Sequence, residues 1–106
     1  MNNQSNIIFG LPKNVIDVIV SAICRNKKID KIVMFGSRAK GNFRKGSDID
    51  LAIFSKNLSH DDIMKIKTIV NELLLPYTID ILYFDKIKNK ELKEHILRVG
   101  ATLFPS

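Results

Sequence analysis

Two apolar runs lie close together in this chain. Ile32-Val33-Met34-Phe35 ends at Gly36-Ser37, and after ten further residues Asp48-Ile49-Asp50 opens the run that continues to Phe54. Both runs read as strands. Ser37–Lys40 has room for one helical turn closed by Gly41, and Gly46 permits a second turn. The remaining connection is too short for a crossover, so the two strands are expected to pair antiparallel. The next apolar pattern is helical: Ile63, Ile66, Ile69, Val70, Leu73 and Leu74 fall on one face. That helix opens at Ser59, with Asp62 placed for a capping box, and is expected to end at Pro76. A third strand follows over Tyr77–Phe84. A strand, a long helix and another strand predict a parallel pairing with a right-handed crossover.

The flanks complete the expected order. Residues 1–10 read as a loose lead-in. Residues 12–26 read as an amphipathic helix starting at Pro12, with Val15, Ile16, Ile19, Ala22 and Ile23 inward and Arg25, Lys27 and Lys28 near its C-terminal dipole. Residues 86–99 read as a charged helix in which Glu94 and Arg98 are spaced to pair. Ala101–Phe104 reads as a short edge strand or docking segment. The fold class is therefore α/β (α+β), a small mixed sheet of three to four strands with helices packed on it. Residues 1–106 are expected to form a single domain.

Composition limits the chemistry. Seventeen Lys plus Arg against eleven Asp plus Glu leave a net charge of +6, which suits polyanionic partners without choosing among them. Cys24 is the only cysteine, so neither a disulfide nor a cysteine metal cluster can form within the chain, and it is expected to be a small core residue. No apolar run approaches the roughly 18 residues of a membrane span. Met1–Asn6 is polar, unlike a signal peptide, so a cytoplasmic location is expected.

The acids carry the sharper signal. On a strand Asp48 and Asp50 face the same side, with Cα atoms roughly 6–7 Å apart. Asp80 sits among apolar residues in Ile79-Asp80-Ile81-Leu82, and on a neighbouring strand it can face the same place. One pair of carboxylates at ~4 Å repels by about 4 kcal/mol at an effective dielectric near 20. Three such acids together imply a cation, and oxygen-only ligands favour Mg²⁺, with Mn²⁺ as substitute. Gly36 lets backbone approach a ligand, and Ser37 at a helix start suits an anion. Arg38, Lys40, Arg44 and Lys45 lie in the same excursion, where they can hold phosphate charge or an acceptor. For Arg44 and Lys45 a solvated loop is the simpler reading. Asn42 stands where a Walker A loop needs lysine, and Asp48–Ala52 lacks the further ligands of an EF-hand. His60 is read as a helix-start residue and His95 as a helix-surface residue. No groove-reading element or aromatic platform signals nucleic acid as a direct ligand.

These residues resemble a known family. Gly36-Ser37, ten residues, Asp48-x-Asp50 and a later Asp80 look like the minimal nucleotidyltransferases of the DNA polymerase β-like superfamily, over nearly the whole chain. The resemblance implies a polymerase β palm-like fold, with Asp48, Asp50 and Asp80 as catalytic metal ligands for two Mg²⁺ ions. It implies that Gly36 and Ser37 bind the β- and γ-phosphates, with Arg38 and Lys40 as further nucleotide contacts. The implied reaction is attack of a hydroxyl on the α-phosphorus of a nucleoside triphosphate, releasing pyrophosphate. Larger members carry a helical lobe for the acceptor, and so short a chain is expected to lack one. In that it resembles the antitoxins paired with HEPN toxins, which transfer AMP from ATP to a toxin tyrosine. The alternatives are a binding-only antitoxin and a catalytic subunit that modifies a small molecule.

Overall fold

The computed structural model describes residues 7–105. Its main sheet has the strand order β5-β4-β3-β6, where β3 is Lys31–Phe35, β4 Ile49–Phe54, β5 Ile79–Tyr83 and β6 Ala101–Phe104. β3 pairs antiparallel with β4 and with β6, while β4 and β5 are parallel. Both expected pairings are present, and the tail is an edge strand, one of the two readings its sequence allowed.

Alternation along β4 sorts the core. Ile49, Leu51 and Ile53 point to one face, together with Ile32, Met34, Ile81 and Tyr83. Helix α1 (Lys13–Ile23) covers that face with Ile16, Ile19 and Ile23, and α3 (His60–Asn71) covers it with Ile66 and Val70. Each such fully buried aliphatic side chain is worth about 1.5–3 kcal/mol. Val33, Phe35 and Ala52 point to the other face, where α4 (Lys90–Val99) covers them with Ile96. Helices on both faces explain why β4 is apolar on both sides after Asp50.

Several boundaries differ from the sequence reading. Residues 1–6 lie outside the described residues, but Ile7–Ile8 (β1) and Leu11–Pro12 (β2) form a hairpin where a loose lead-in was expected. Its two-residue turn, Phe9-Gly10, has φ of 58° and 72°, as right-handed strand twist favours. Phe at the first turn position carries none of the usual Asn-Gly signal. α1 ends at Ile23, and Cys24 caps it by donating its N–H to Val20 O. α3 stops at Asn71, before Pro76, and Leu74 is 87% exposed at φ 53° rather than on the core face. Phe84–Lys86 is a single 3-10 turn. α4 starts only after Asn89, whose Oδ1 accepts the Leu92 N–H at 3.1 Å.

The capping box at Ser59 is present in both directions. Ser59 Oγ accepts from Asp62 N at 3.0 Å and Asp62 Oδ2 from Ser59 N at 3.1 Å. Lys28 Nζ adds an ion pair to Asp62 at 3.0 Å. The other ion pairs among the described residues are Lys13–Asp17 and Lys65–Asp61. Glu94 and Arg98 form none, although they are one turn apart.

Candidate active site

β3 ends at Phe35, and the chain turns at Gly36 into the short helix α2 (Gly36–Lys40). Gly36 has φ 79°, and a Cβ placed on it would collide with Asp50 Oδ2. Only glycine combines that backbone angle with so close an approach. The glycine-serine turn and the second acid therefore touch. Ser37 is half-buried, and its hydroxyl makes no hydrogen bond among the described residues. Its carbonyl accepts from Gly41 N and Asn42 N and closes the helical turn.

Register brings the acids together. Asp50 is the partner of Phe35 on one side and of Asp80 on the other. Paired residues on neighbouring strands project to the same face, so Asp50 and Asp80 share the sheet face that α4 covers further along. Asp48 lies just before β4, two positions from Asp50 and on the same side. Asp48 and Asp80 are exposed, whereas Asp50 is half-buried. The Asp50 carboxyl is pushed above the usual carboxylate range, first by burial and then by the charges of Asp80 and Asp48.

Whether a divalent cation fits can be judged from this arrangement. Among the described residues, no three His, Cys, Asp or Glu side chains stand as a ready-made metal cluster. The three carboxylates feel one another's charge without sharing one coordination sphere. Yet none of them takes part in an ion pair among the described residues, in a chain with seventeen Lys and Arg. Uncompensated like charges around a half-buried oxygen donor suit a hard cation, and Mg²⁺ binds through one or two carboxylates plus phosphate oxygens rather than in an all-protein cage. The donor set fits.

Arg38 was expected to reach the nucleotide, and here the structure differs. The side chain is 3% exposed. Its Nε and Nη2 donate to Ser47 O at 3.2 and 3.0 Å, and its Nη1 donates to Phe9 O at 2.8 Å. Its guanidinium lies 5.4 Å from the ring centre of Phe43 and 5.8 Å from that of Tyr77. The guanidinium is committed to the protein and holds the residue just before Asp48. The Ile49 N–H, just after Asp48, is held by Thr78 O at 2.9 Å. Asp48 is thus pinned on both sides, and Arg38 is a positioning residue. Sequence reasoning missed Phe9, Phe43, Ser47 and Tyr77 because all four act through folding distance, not local pattern. Lys40 is exposed at the end of α2, and Arg44 and Lys45 are exposed in the loop. His60 begins α3 as expected, whereas His95 is half-buried, edge-on to Phe35 with ring centres 6.5 Å apart.

The antiparallel–parallel sheet, the glycine turn against an acid and the paired acids on β4 and β5 define a nucleotidyltransferase palm. The polymerase beta nucleotidyltransferase family matches residues 17–106, and the chain belongs to that family. No curated protein matches the sequence significantly. Among solved structures, a protein described as a minimal nucleotidyltransferase is similar at TM-score 0.67 and 23% identity, covering 92% of this chain and 97% of its own. A toxin–antitoxin structure with AMP-PNP is similar at TM-score 0.65 and 19% identity, covering 85% of this chain and 73% of its own. A chain of the complex between tri-AMPylated Shewanella oneidensis HEPN toxin and MNT antitoxin is similar at TM-score 0.61 and 16% identity, covering 89% and 73%. At these identities the likeness is one of fold. Among the described residues no helix is long and apolar enough to cross a membrane.

Proposed function

We propose that this chain is a Mg²⁺-dependent nucleotidyltransferase that moves AMP from ATP to a hydroxyl, in particular a tyrosine, of a HEPN-type toxin, and so acts as its antitoxin. The carrying observation is the register pair Asp50–Asp80 beside Gly36, with neither carboxylate in an ion pair among the described residues. Residues 1–106 act as one catalytic domain in this reading, in the cytoplasm with the toxin. The AMPylated toxin in one fold neighbour and AMP-PNP in another support the substrate and acceptor classes.

In this reading Asp48, Asp50 and Asp80 would hold two Mg²⁺ ions, which when bound would offset phosphate charge and acidify the acceptor hydroxyl. Gly36 gives the triphosphate close access to backbone, and the Ser37 hydroxyl, which has no partner among the described residues, is the donor for its outer phosphates. Exposed Lys40, at the far end of the short helix α2, supplies a cation one turn away. Asp80, exposed on β5, receives the acceptor side. The acceptor oxygen bonds to the α-phosphorus as the bond to the β-phosphate oxygen breaks. Pyrophosphate leaves, and the hydroxyl proton passes by way of Asp80 to solvent.

The test is the mass of the HEPN-type partner after incubation with this chain, Mg²⁺ and ATP. The expected result is the gain of one or more AMP units, lost with Asp50→Asn while that variant remains folded. An Asp48→Asn, Asp50→Asn, Asp80→Asn triple variant that still neutralises the toxin as well as the parent chain would refute the catalytic reading in favour of binding alone.

A further inference from the structure

The sheet has two edges, and they differ. β6 is four residues long, is interrupted by a bulge opposite Ile32 and Val33, and is followed by Pro105. Those are devices that block pairing with another chain. β5 has none of them. Among the described residues it pairs only with β4, and its sequence Ile79-Asp80-Ile81-Leu82-Tyr83 has no proline, bulge or lysine. Thr78 O accepts from Ile49 N, so the backbone of Asp80 and Leu82 also faces β4. The N–H and C=O groups of Ile79, Ile81 and Tyr83 therefore face outward, where no other backbone meets them among the described residues.

A trough follows this edge. One part, of about 380 Å³, is lined by Ile79, Asp80 and Ile81 with Lys67, Asn71 and Tyr77. The other, of about 590 Å³ and mostly apolar, is lined by Ile81, Leu82 and Tyr83 with Lys86, Lys88 and Leu92. Lys67 and Ile81 line both, so the two parts are neighbours along the strand. Asp80 is the only carboxylate along it, at one end, against Lys67, Lys86 and Lys88.

We propose that the open edge of β5 is the docking strand for an extended acidic segment of the protein that receives the nucleotide, added to the sheet beside Asp80. Backbone pairing with Ile79, Ile81 and Tyr83 would give affinity, as in other cases of strand addition. The apolar trough takes alternate side chains, and the lysines select acids. The lysines also argue against a second copy of this chain, which would bring the same lysines and a net charge of +6 to the interface. The end of such a strand lies at Asp80, so its hydroxyl enters where the transfer occurs. The naming of the occupant rests on the function proposed above, while the pairing itself does not.

The experiment is hydrogen exchange of the full chain, alone and with its HEPN-type partner, alongside the mass assay. The expected result is that the amides of Ile79, Ile81 and Tyr83 slow by about tenfold or more in the complex. Lys67→Glu with Lys88→Glu should weaken the complex about tenfold at moderate salt, with the difference shrinking at high salt. Ile79→Pro, which removes an outward donor at a position where edge strands tolerate proline, should weaken it without unfolding the chain. Protection without AMP transfer would leave the docking intact and overturn the catalytic reading. A complex that leaves these amides unprotected, or no complex at all, would overturn the docking, whether or not AMP is transferred. Protection in the chain alone that rises with its own concentration would assign the edge to a second copy and equally overturn it.

Discussion

Replacing Arg38 tests the link between loop geometry and chemistry. Arg38→Met keeps most of the side-chain volume and removes three N–H donors that serve two carbonyls, those of Ser47 and Phe9. A hydrogen bond from a charged group is worth about 1.5–3 kcal/mol net, and such bonds on one group do not add in full. Removing a buried guanidinium also relieves a desolvation cost of several kcal/mol in the opposite direction. The net loss is expected to be about 2–3 kcal/mol, a large fraction of the roughly 5–15 kcal/mol that holds a domain together. Urea unfolding of the metal-free protein measures it. On the function proposed above, release of Ser47 O also frees the chain before Asp48, and a displacement of about 1 Å at a catalytic group can cost on the order of 100-fold in rate. Arg38→Lys keeps the charge but cannot span both carbonyls, so it should fall between. A phosphate-binding Arg38 would behave otherwise: stability unchanged in Arg38→Met, with only the ATP concentration dependence weakened. That outcome would refute the positioning role.

Three further expectations follow from other residues. Asp50→Asn removes a half-buried charge that Asp80 and Asp48 oppose, so the metal-free variant should melt above the parent chain in EDTA and lose any Mg²⁺-induced rise in Tm. The Asp62 carboxyl is held below its ordinary range, first by the Ser59 backbone N–H and then by Lys28. Because its folded pKa is depressed, its contribution should be fully present above the unfolded value of about 4. It should disappear as pH falls through the folded value, a loss that Asp62→Asn would remove from the pH dependence of urea unfolding. Leu74→Gly should stabilise by about 0.5–1 kcal/mol, because Leu74 is strained at φ 53° and 87% exposed. A lower urea midpoint would contradict that account.

Much of the site was legible because its signals are local. A glycine after an apolar run and two acids at strand spacing carry their geometry with them, since alternation alone sends Asp48 and Asp50 to one side. The capping box at Ser59 and Asp62 was readable for the same reason. Leu74 was not: its helical spacing is correct, but the helix ends at Asn71 and a left-handed turn carries it outward. Arg38 was misread because a cation in a basic loop looks the same in sequence whether it meets phosphate or a carbonyl. His95 was misread because the facing of α4 depends on how Ile96 packs against Val33, Phe35 and Ala52.

By itself, then, the order of residues determined the family, the strand–helix–strand connection and which acids are candidates for the site, because each rests on periodicity or on spacing along one segment. Only the tertiary structure decided that Asp80 sits in register with Asp50, that Arg38 serves the loop, and that among the described residues the β5 edge of the sheet stays unpaired. Those outcomes depend on contacts between segments tens of residues apart, where burial and hydrogen-bond satisfaction, not local preference, select the arrangement.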